Sequence, residues 1–297
     1  MSEEFVFSAQ DRLSVFCEYM EVKAEQLGLS NNTMFHDPCG IDNMSAPLDM
    51  VRCLIRGYEC DTLRPVWGTA EYVAKIGGAA ARELPLTSTV LASESSHILT
   101  DAYEVIGGKT GTLTKYGAYN LSCVVRIPDS DDLLACTVMY AEQKNDEPRN
   151  RFLAAKQALD AAVAKYRDRS ADVSKTDVCA DGVVVCLMPP RCAADEYHAQ
   201  LDVLFEKNAR KQLRPASMTK MLTAVIVSEY FTDLDEVVRV DKDVIDAIPT
   251  YFYGEDLMPG DELTVRDLLY AMMLPSCNAA AFVFGAEIGS RILADLS

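Results

Sequence analysis

Apolar positions early in the chain recur at helical spacing. Leu13, Phe16, Met20, Ala24 and Leu27 share one stripe and Gly28 suits a C-terminal cap, so a helix is predicted over 12–28. A polar loop from Ser30 to Asn43 follows, holding the turn signal Asp37-Pro38-Cys39-Gly40. Ser45-Ala46-Pro47 opens a second helix that runs through Met50, Val51 and Leu54 to about Tyr58. A third, short helix is predicted from Trp67 to Ile76, ending at Gly77-Gly78. Residues 86–100 predict two short β-like stretches around a polar turn.

From Tyr103 the period changes to that of strands. Tyr103 to Thr112, Tyr119 to Ile127 and Leu133 to Ala141 read as three strands, the last two joined through Pro128-Asp129-Ser130-Asp131-Asp132. Such short connections predict an antiparallel meander. Asn150 to Tyr166 is predicted helical, with Phe152, Leu153, Ala155, Ala158, Leu159, Ala162 and Val163 on its apolar side. Polar residues 167–181 read as a linker, and Val183–Leu187 and Leu201–Phe205 as two more strands. An apolar helix then begins near Ser217. An acidic stretch, Asp233 to Asp246, and a tight turn at Met258-Pro259-Gly260-Asp261 lead to helices over Val265–Met273 and Ala279 to about Leu293. No internal repeat or low-complexity tract is visible.

At 297 residues the chain is long enough for one large domain or two modest ones. Its formal charge of −17 argues against nucleic-acid binding, which needs a basic face. Met1-Ser2-Glu3-Glu4 lacks the basic start of a secretory signal. The uncharged run Leu268–Ala286 approaches membrane-span length, but Pro275, Ser276 and Asn278 interrupt it, so a buried helix pair is expected instead of a membrane span. Ten cysteines include no C-x-x-C pair, and the histidines are His36, His97 and His198, so neither a metal nor another cofactor is expected. The cysteines read as buried free thiols; Cys179, Cys186 and Cys192 are near enough in sequence for a disulfide in an oxidising compartment.

Three short motifs carry the chemistry. Ser217-Met218-Thr219-Lys220 spaces a hydroxyl and an amine at i, i+3, on one helical face. A serine becomes a nucleophile only when a neighbour takes its proton, and a lysine does so only when burial or nearby cations lower its pKa. The apolar run Met221–Val227 would supply that burial. Ser276-Cys277-Asn278 lies between two apolar helices, and Lys109-Thr110-Gly111-Thr112 lies on a predicted strand after Gly107-Gly108. Ser-x-x-Lys, Ser-x-Asn and Lys-Thr-Gly together are the signature of serine β-lactamases and penicillin-binding proteins.

The surrounding sequence resembles the serine D-Ala-D-Ala carboxypeptidases, the low-molecular-mass penicillin-binding proteins. The resemblance is carried by Pro215 to Thr223, Leu268-Leu269-Tyr270 with Leu274-Pro275-Ser276, Lys23 to Leu29, Thr33 to Gly40, and Gly107 to Thr112. The order differs from the family's: here Lys109 precedes Ser217 and Ser276. The arrangement reads as a circular permutation of a single catalytic domain, with 1–166 the family's C-terminal part, 167–181 a linker and 182–297 the family's N-terminal part with the nucleophile. The rival reading is a half-swapped homodimer that completes each site from two chains.

The resemblance implies an α/β (α+β) fold of the β-lactamase/transpeptidase type: a five-stranded antiparallel sheet flanked by helices, with an all-helical lobe. It also implies roles. Ser217 attacks the carbonyl between two D-alanines, Lys220 is the base, Ser276 relays a proton, and Asn278 holds the substrate amide and Lys220. Lys109 adds positive charge that keeps Lys220 deprotonated and attracts the terminal carboxylate, which Thr110 and Thr112 also bind. Gly111 allows close approach to substrate, and the backbone N–H groups of Ser217 and Thr112 form an oxyanion hole. The implied partners are peptidoglycan stem peptides and β-lactam antibiotics, and the implied place is the bacterial cell envelope. Departures fall at Cys277, where glycine or aspartate is usual, at Ala279, where aspartate is common, and at Ser95-Ser96-His97-Ile98-Leu99, which lacks the family's asparagines. Cys277 as a nucleophile is set aside because no histidine lies nearby in sequence. The alternatives are a β-lactamase-like hydrolase, which needs a deacylating glutamate not found in residues 1–108, and an inactive penicillin- or peptidoglycan-binding module.

Overall fold

A computed structural model describes residues 7–142, 150–189, 200–252 and 256–296. The motif-bearing strands form an antiparallel meander. β3 (Val105–Leu113), β4 (Ala118–Arg126), β5 (Leu133–Ala141), β6 (Ala180–Leu187) and β7 (Val203–Lys207) pair in chain order. β3, with Lys109, Thr110 and Gly111, is one edge of this sheet. The period-two alternation sorts side chains onto its two faces. Leu121, Cys123, Val125, Cys136, Val138, Val183 and Val185 form one buried cluster with Phe152, Ala155, Ala158 and Leu159 of α5 (Asn150–Arg167). Val124, Ala135, Met139, Val184 and Cys186 face the other way, into the main core.

That core is helical. α1 (Ala9–Gln26) begins with a reciprocal capping box between Ser8 and Asp11, a motif of which the serine contributes about 1 kcal/mol. α2 (Pro47–Glu59) and α6 (Lys220–Tyr230) join α8 (Val265–Met273) and α9 (Asn278–Leu296) in the same cluster. α9 lies against α1 so closely that a Cβ at Gly289 would stand 1.9 Å from the Arg12 carbonyl oxygen. The uncharged run Leu268–Ala286 is therefore two buried helices with a break at Leu274–Cys277. No helix among the described residues is long and apolar enough to cross a membrane. The cysteines among the described residues are free thiols; Cys192 and His198, like Met1–Glu4, lie outside them.

The helical lobe also carries a second sheet that the hydrophobic pattern did not announce. β1 (Glu71–Gly78), β2 (Arg82–Thr87), β8 (Val237–Arg239) and β9 (Asp261–Thr264) pair antiparallel in the order β2-β1-β9-β8. The helix expected over Trp67–Ile76 is thus a correction. A short helix, α3 (Leu63–Trp67), ends at Gly68 and a strand follows. Val73 is 50% exposed while Ala74 and Ile76 are buried, which is strand alternation. Of the two β-like stretches expected over 86–100, the first falls on the end of β2, and the second is corrected: it contains a short helix, α4 (His97–Thr100). α7 (Lys242–Asp246) completes the lobe. Arg82 fastens the sheet through a two-pronged contact with Asp261, at 2.8 and 2.7 Å.

Candidate active site

Ser217 sits in a 3-10 turn, Ala216–Thr219, that runs directly into α6. Ala216 has φ +52° and Ser276 has φ +73°, left-handed values that cost non-glycine residues free energy and cluster at functional sites. The turn is buttressed from behind. The Asp37 carboxylate accepts the backbone N–H groups of Cys39, Gly40, Ile41 and Asp42 and so shapes the turn noted at 37–40. Gly40, at φ +96°, meets the Ala216 carbonyl where a Cβ would be 1.9 Å away, so no other residue fits. Asn43 donates to Thr219 Oγ1 at 3.1 Å, and Thr223 donates to the Pro38 carbonyl at 2.7 Å.

Three of the singled-out side chains converge on the amine of a fourth. Lys220 Nζ lies 3.0 Å from Ser217 Oγ, 3.1 Å from Ser276 Oγ, 3.0 Å from the Ser276 carbonyl and 2.6 Å from Asn278 Oδ1. Asn278 is itself oriented, because its Nδ2 donates to the Phe252 carbonyl at 2.8 Å and so turns its oxygen toward the lysine. Lys220 is fully buried, and burial lowers its pKa, opposed by the thiols of Cys39 and Cys277 and by Asp37. A neutral amine has two hydrogens and one lone pair. The Ser276 carbonyl and Asn278 Oδ1 only accept, so in that neutral form they would take both hydrogens and leave the lone pair for a serine hydroxyl. Cys277 is also buried, and burial pushes its thiol up to about 11, which leaves it protonated and a poor nucleophile.

The Lys-Thr-Gly strand forms the opposite wall. At Gly111 an added Cβ would lie 2.4 Å from the Pro215 carbonyl and 3.2 Å from Ala216 Cβ. The glycine therefore lets β3 touch the serine turn itself, whereas the sequence reading assigned that close approach to substrate. Asn120, opposite Gly111 on β4, donates to the Arg214 and Pro215 carbonyls at 2.9 and 3.0 Å and ties turn to sheet. Lys109 is fully buried and donates to the Thr110 carbonyl at 3.0 Å. Burial first, then Lys220 and Arg151, holds its pKa well below the ordinary lysine range. The repulsion is mutual: each of these two buried lysines disfavours the charged form of the other.

One residue at this wall was not anticipated. Arg151 on α5 is only 5% exposed; it donates to Thr112 Oγ1 at 2.9 Å and to the Asn120 carbonyl at 3.2 Å, and its Nε has no partner. Burial pushes its pKa down to about 10, and its guanidinium lies over the Tyr119 ring, 5.5 Å from the centroid. The sequence held a usable signal. Arg151 shares its stripe with Ala155, Ala158 and Ala162, and a charge on a buried stripe calls for a partner. Among the described residues no group of His, Cys, Asp and Glu is placed to hold a metal ion.

The mixed α/β fold with antiparallel sheets flanked by helices is consistent with a β-lactamase-like fold. Residues 198–290 match the D-alanyl-D-alanine carboxypeptidase family. The chain is 32% identical over 92 residues to D-alanyl-D-alanine carboxypeptidase DacF of Bacillus subtilis (strain 168), covering 29% of this chain and 23% of that protein. It is 35% identical over 89 residues to a D-alanyl-D-alanine carboxypeptidase of Streptomyces sp. (strain K15), covering 29% of this chain and 31% of that protein. The chain thus spans less than a third of each of these curated relatives. No solved structure matches it at the same significance.

Proposed function

We propose that the chain is a serine-type D-Ala-D-Ala carboxypeptidase that removes the terminal D-alanine of peptidoglycan stem peptides through an acyl-enzyme. One observation carries this reading: a fully buried Lys220 whose nitrogen lies 3.0 Å from Ser217 Oγ, 3.0 Å from the Ser276 carbonyl and 2.6 Å from Asn278 Oδ1. Lys220 takes the Ser217 proton as the oxygen attacks the penultimate carbonyl. The N–H groups of Ser217 and Thr112 receive the oxyanion. As the tetrahedral intermediate collapses, the proton returns through Ser276, 3.1 Å from Lys220, to the leaving amine, and D-alanine departs. Water then attacks the ester and restores Ser217.

The D-alanine carboxylate is bound by Thr110, by Lys109 and by Arg151 acting with Thr112. Burial and the neighbouring Lys220 and Arg151 lower the Lys109 pKa, and an arriving carboxylate would favour its charged form. The geometry favours assembly within one chain in permuted order. β3 packs on the Ser217 turn, and α9 packs on α1, so a loop between those two helices would restore the family's order. Such an enzyme acts where peptidoglycan is, in the bacterial cell envelope, and β-lactams acylate the same serine.

Two assays test the reading. A peptide ending in D-Ala-D-Ala should release D-alanine. Labelled penicillin should leave a stable adduct; rapid turnover of the label would make the chain a β-lactamase, and no label would make it an inactive module.

A further inference from the structure

Thr110 is 6% exposed, and its hydroxyl lies 2.7 Å from the hydroxyl of Thr89. Thr89 follows β2 in a segment that none of the three motifs includes. Ser88 holds that segment by accepting the N–H groups of Val90 and Leu91 at 3.3 and 3.1 Å, and by donating its own N–H to the Ala70 carbonyl at 2.8 Å. The Thr89 N–H donates to the carbonyl of Leu274 at 3.1 Å, two residues before Ser276. A single residue therefore touches both the strand that carries Lys109 and the break that carries Ser276.

A hydroxyl has one proton to give. If Thr110 gave its proton to Thr89, it would have none for a substrate carboxylate. We propose that Thr89 is a positioning residue: it donates to Thr110 Oγ1, which forces the Thr110 proton outward to the substrate carboxylate, and its backbone sets that donor's distance from Ser276. The anion polarises the two-hydroxyl chain, which strengthens both bonds. The inference rests on the carboxypeptidase reading, in which Thr110 binds that carboxylate.

The test compares wild type, Thr89→Val and Thr89→Ser on a peptide ending in D-Ala-D-Ala and on the same peptide capped as its C-terminal amide. Valine keeps the shape and loses the hydroxyl; serine keeps the hydroxyl. For Thr89→Val, KM for the free acid should rise about tenfold with kcat within about twofold, the scale of a weakened hydrogen bond to a charged group. Thr89→Ser should restore KM, and the amide should react equally with all three. An unchanged KM in Thr89→Val, an equal loss on the amide, or failure of serine to restore KM each overturns the role of Thr89. A wild type that releases no D-alanine and takes no penicillin overturns the carboxypeptidase reading, and this inference with it.

Discussion

The two walls of the cleft are held together by different means. On the helical side, Ser217, Lys220, Ser276 and Asn278 form one hydrogen-bonded cluster with every contact to the amine at 3.1 Å or less. On the sheet side, Lys109, Thr110 and Thr112 reach that cluster through no direct side-chain bond. They are placed by van der Waals contact at Gly111, by Asn120 and Arg151, and by Thr89. In the proposed mechanism the helical wall transfers the proton, while the sheet wall, set in register by packing, binds substrate. Damage to the first should therefore appear in acylation chemistry, and damage to the second in substrate affinity and stability.

The largest effect expected is that of Lys220→Arg. Arginine keeps a charge but does not lose its proton, so acylation by penicillin should fall about 10³-fold, the scale of general-base catalysis. Equal labelling rates for variant and wild type would show that Lys220 is not the base. Next is Lys109→Met, which should raise KM for D-Ala-D-Ala peptides by roughly 10- to 100-fold while leaving kcat far less changed. A pure kcat loss would merge the two walls into one functional unit. Gly111→Ala should destabilise the fold by about 1–3 kcal/mol in denaturant titration, because the new methyl meets the Pro215 carbonyl.

Acidity separates the walls as well. If Lys220 is the base as proposed, it acts only when neutral, so acylation should rise with pH and level off below the ordinary lysine value of about 10.4. Stability should move in the same direction. Both lysines have lowered folded-state values, so between those values and the ordinary one the unfolded chain holds more protons, and stability grows as pH rises. A thermal midpoint that fell with pH across neutrality, after allowance for the carboxylates, would contradict the buried-lysine pair. The smallest effect belongs to the second sheet. Tyr72→Phe removes a 2.9 Å bond to Asp267 and should cost about 1 kcal/mol of stability with acylation unchanged.

What the sequence made legible was what is local. The i, i+3 spacing of Ser217 and Lys220 placed both side chains on one face before any fold was known. The alternation in Tyr119–Ile127 and Leu133–Ala141 revealed the meander because its partners are neighbours in the chain. The second sheet stayed hidden although β1 pairs mainly with its chain neighbour β2, from Glu71–Thr87 to Ile76–Arg82. Glu71–Gly78 carries few β-branched residues against a helical reading, and the join to β9 at Gly77–Glu262 lies far along the chain. Arg151 and Thr89 were overlooked for a related reason: each gains meaning only from what the tertiary fold puts beside it. The depressed state of Lys109 likewise follows from burial beneath Arg151 and Lys220, which no motif encodes.

The most direct test of the central claim is intact-mass and peptide mass spectrometry after incubation with benzylpenicillin. One penicilloyl adduct per chain is predicted, on the peptide containing Ser217 and absent from Ser217→Ala. An adduct on another residue, or label that survives Ser217→Ala, would contradict the account.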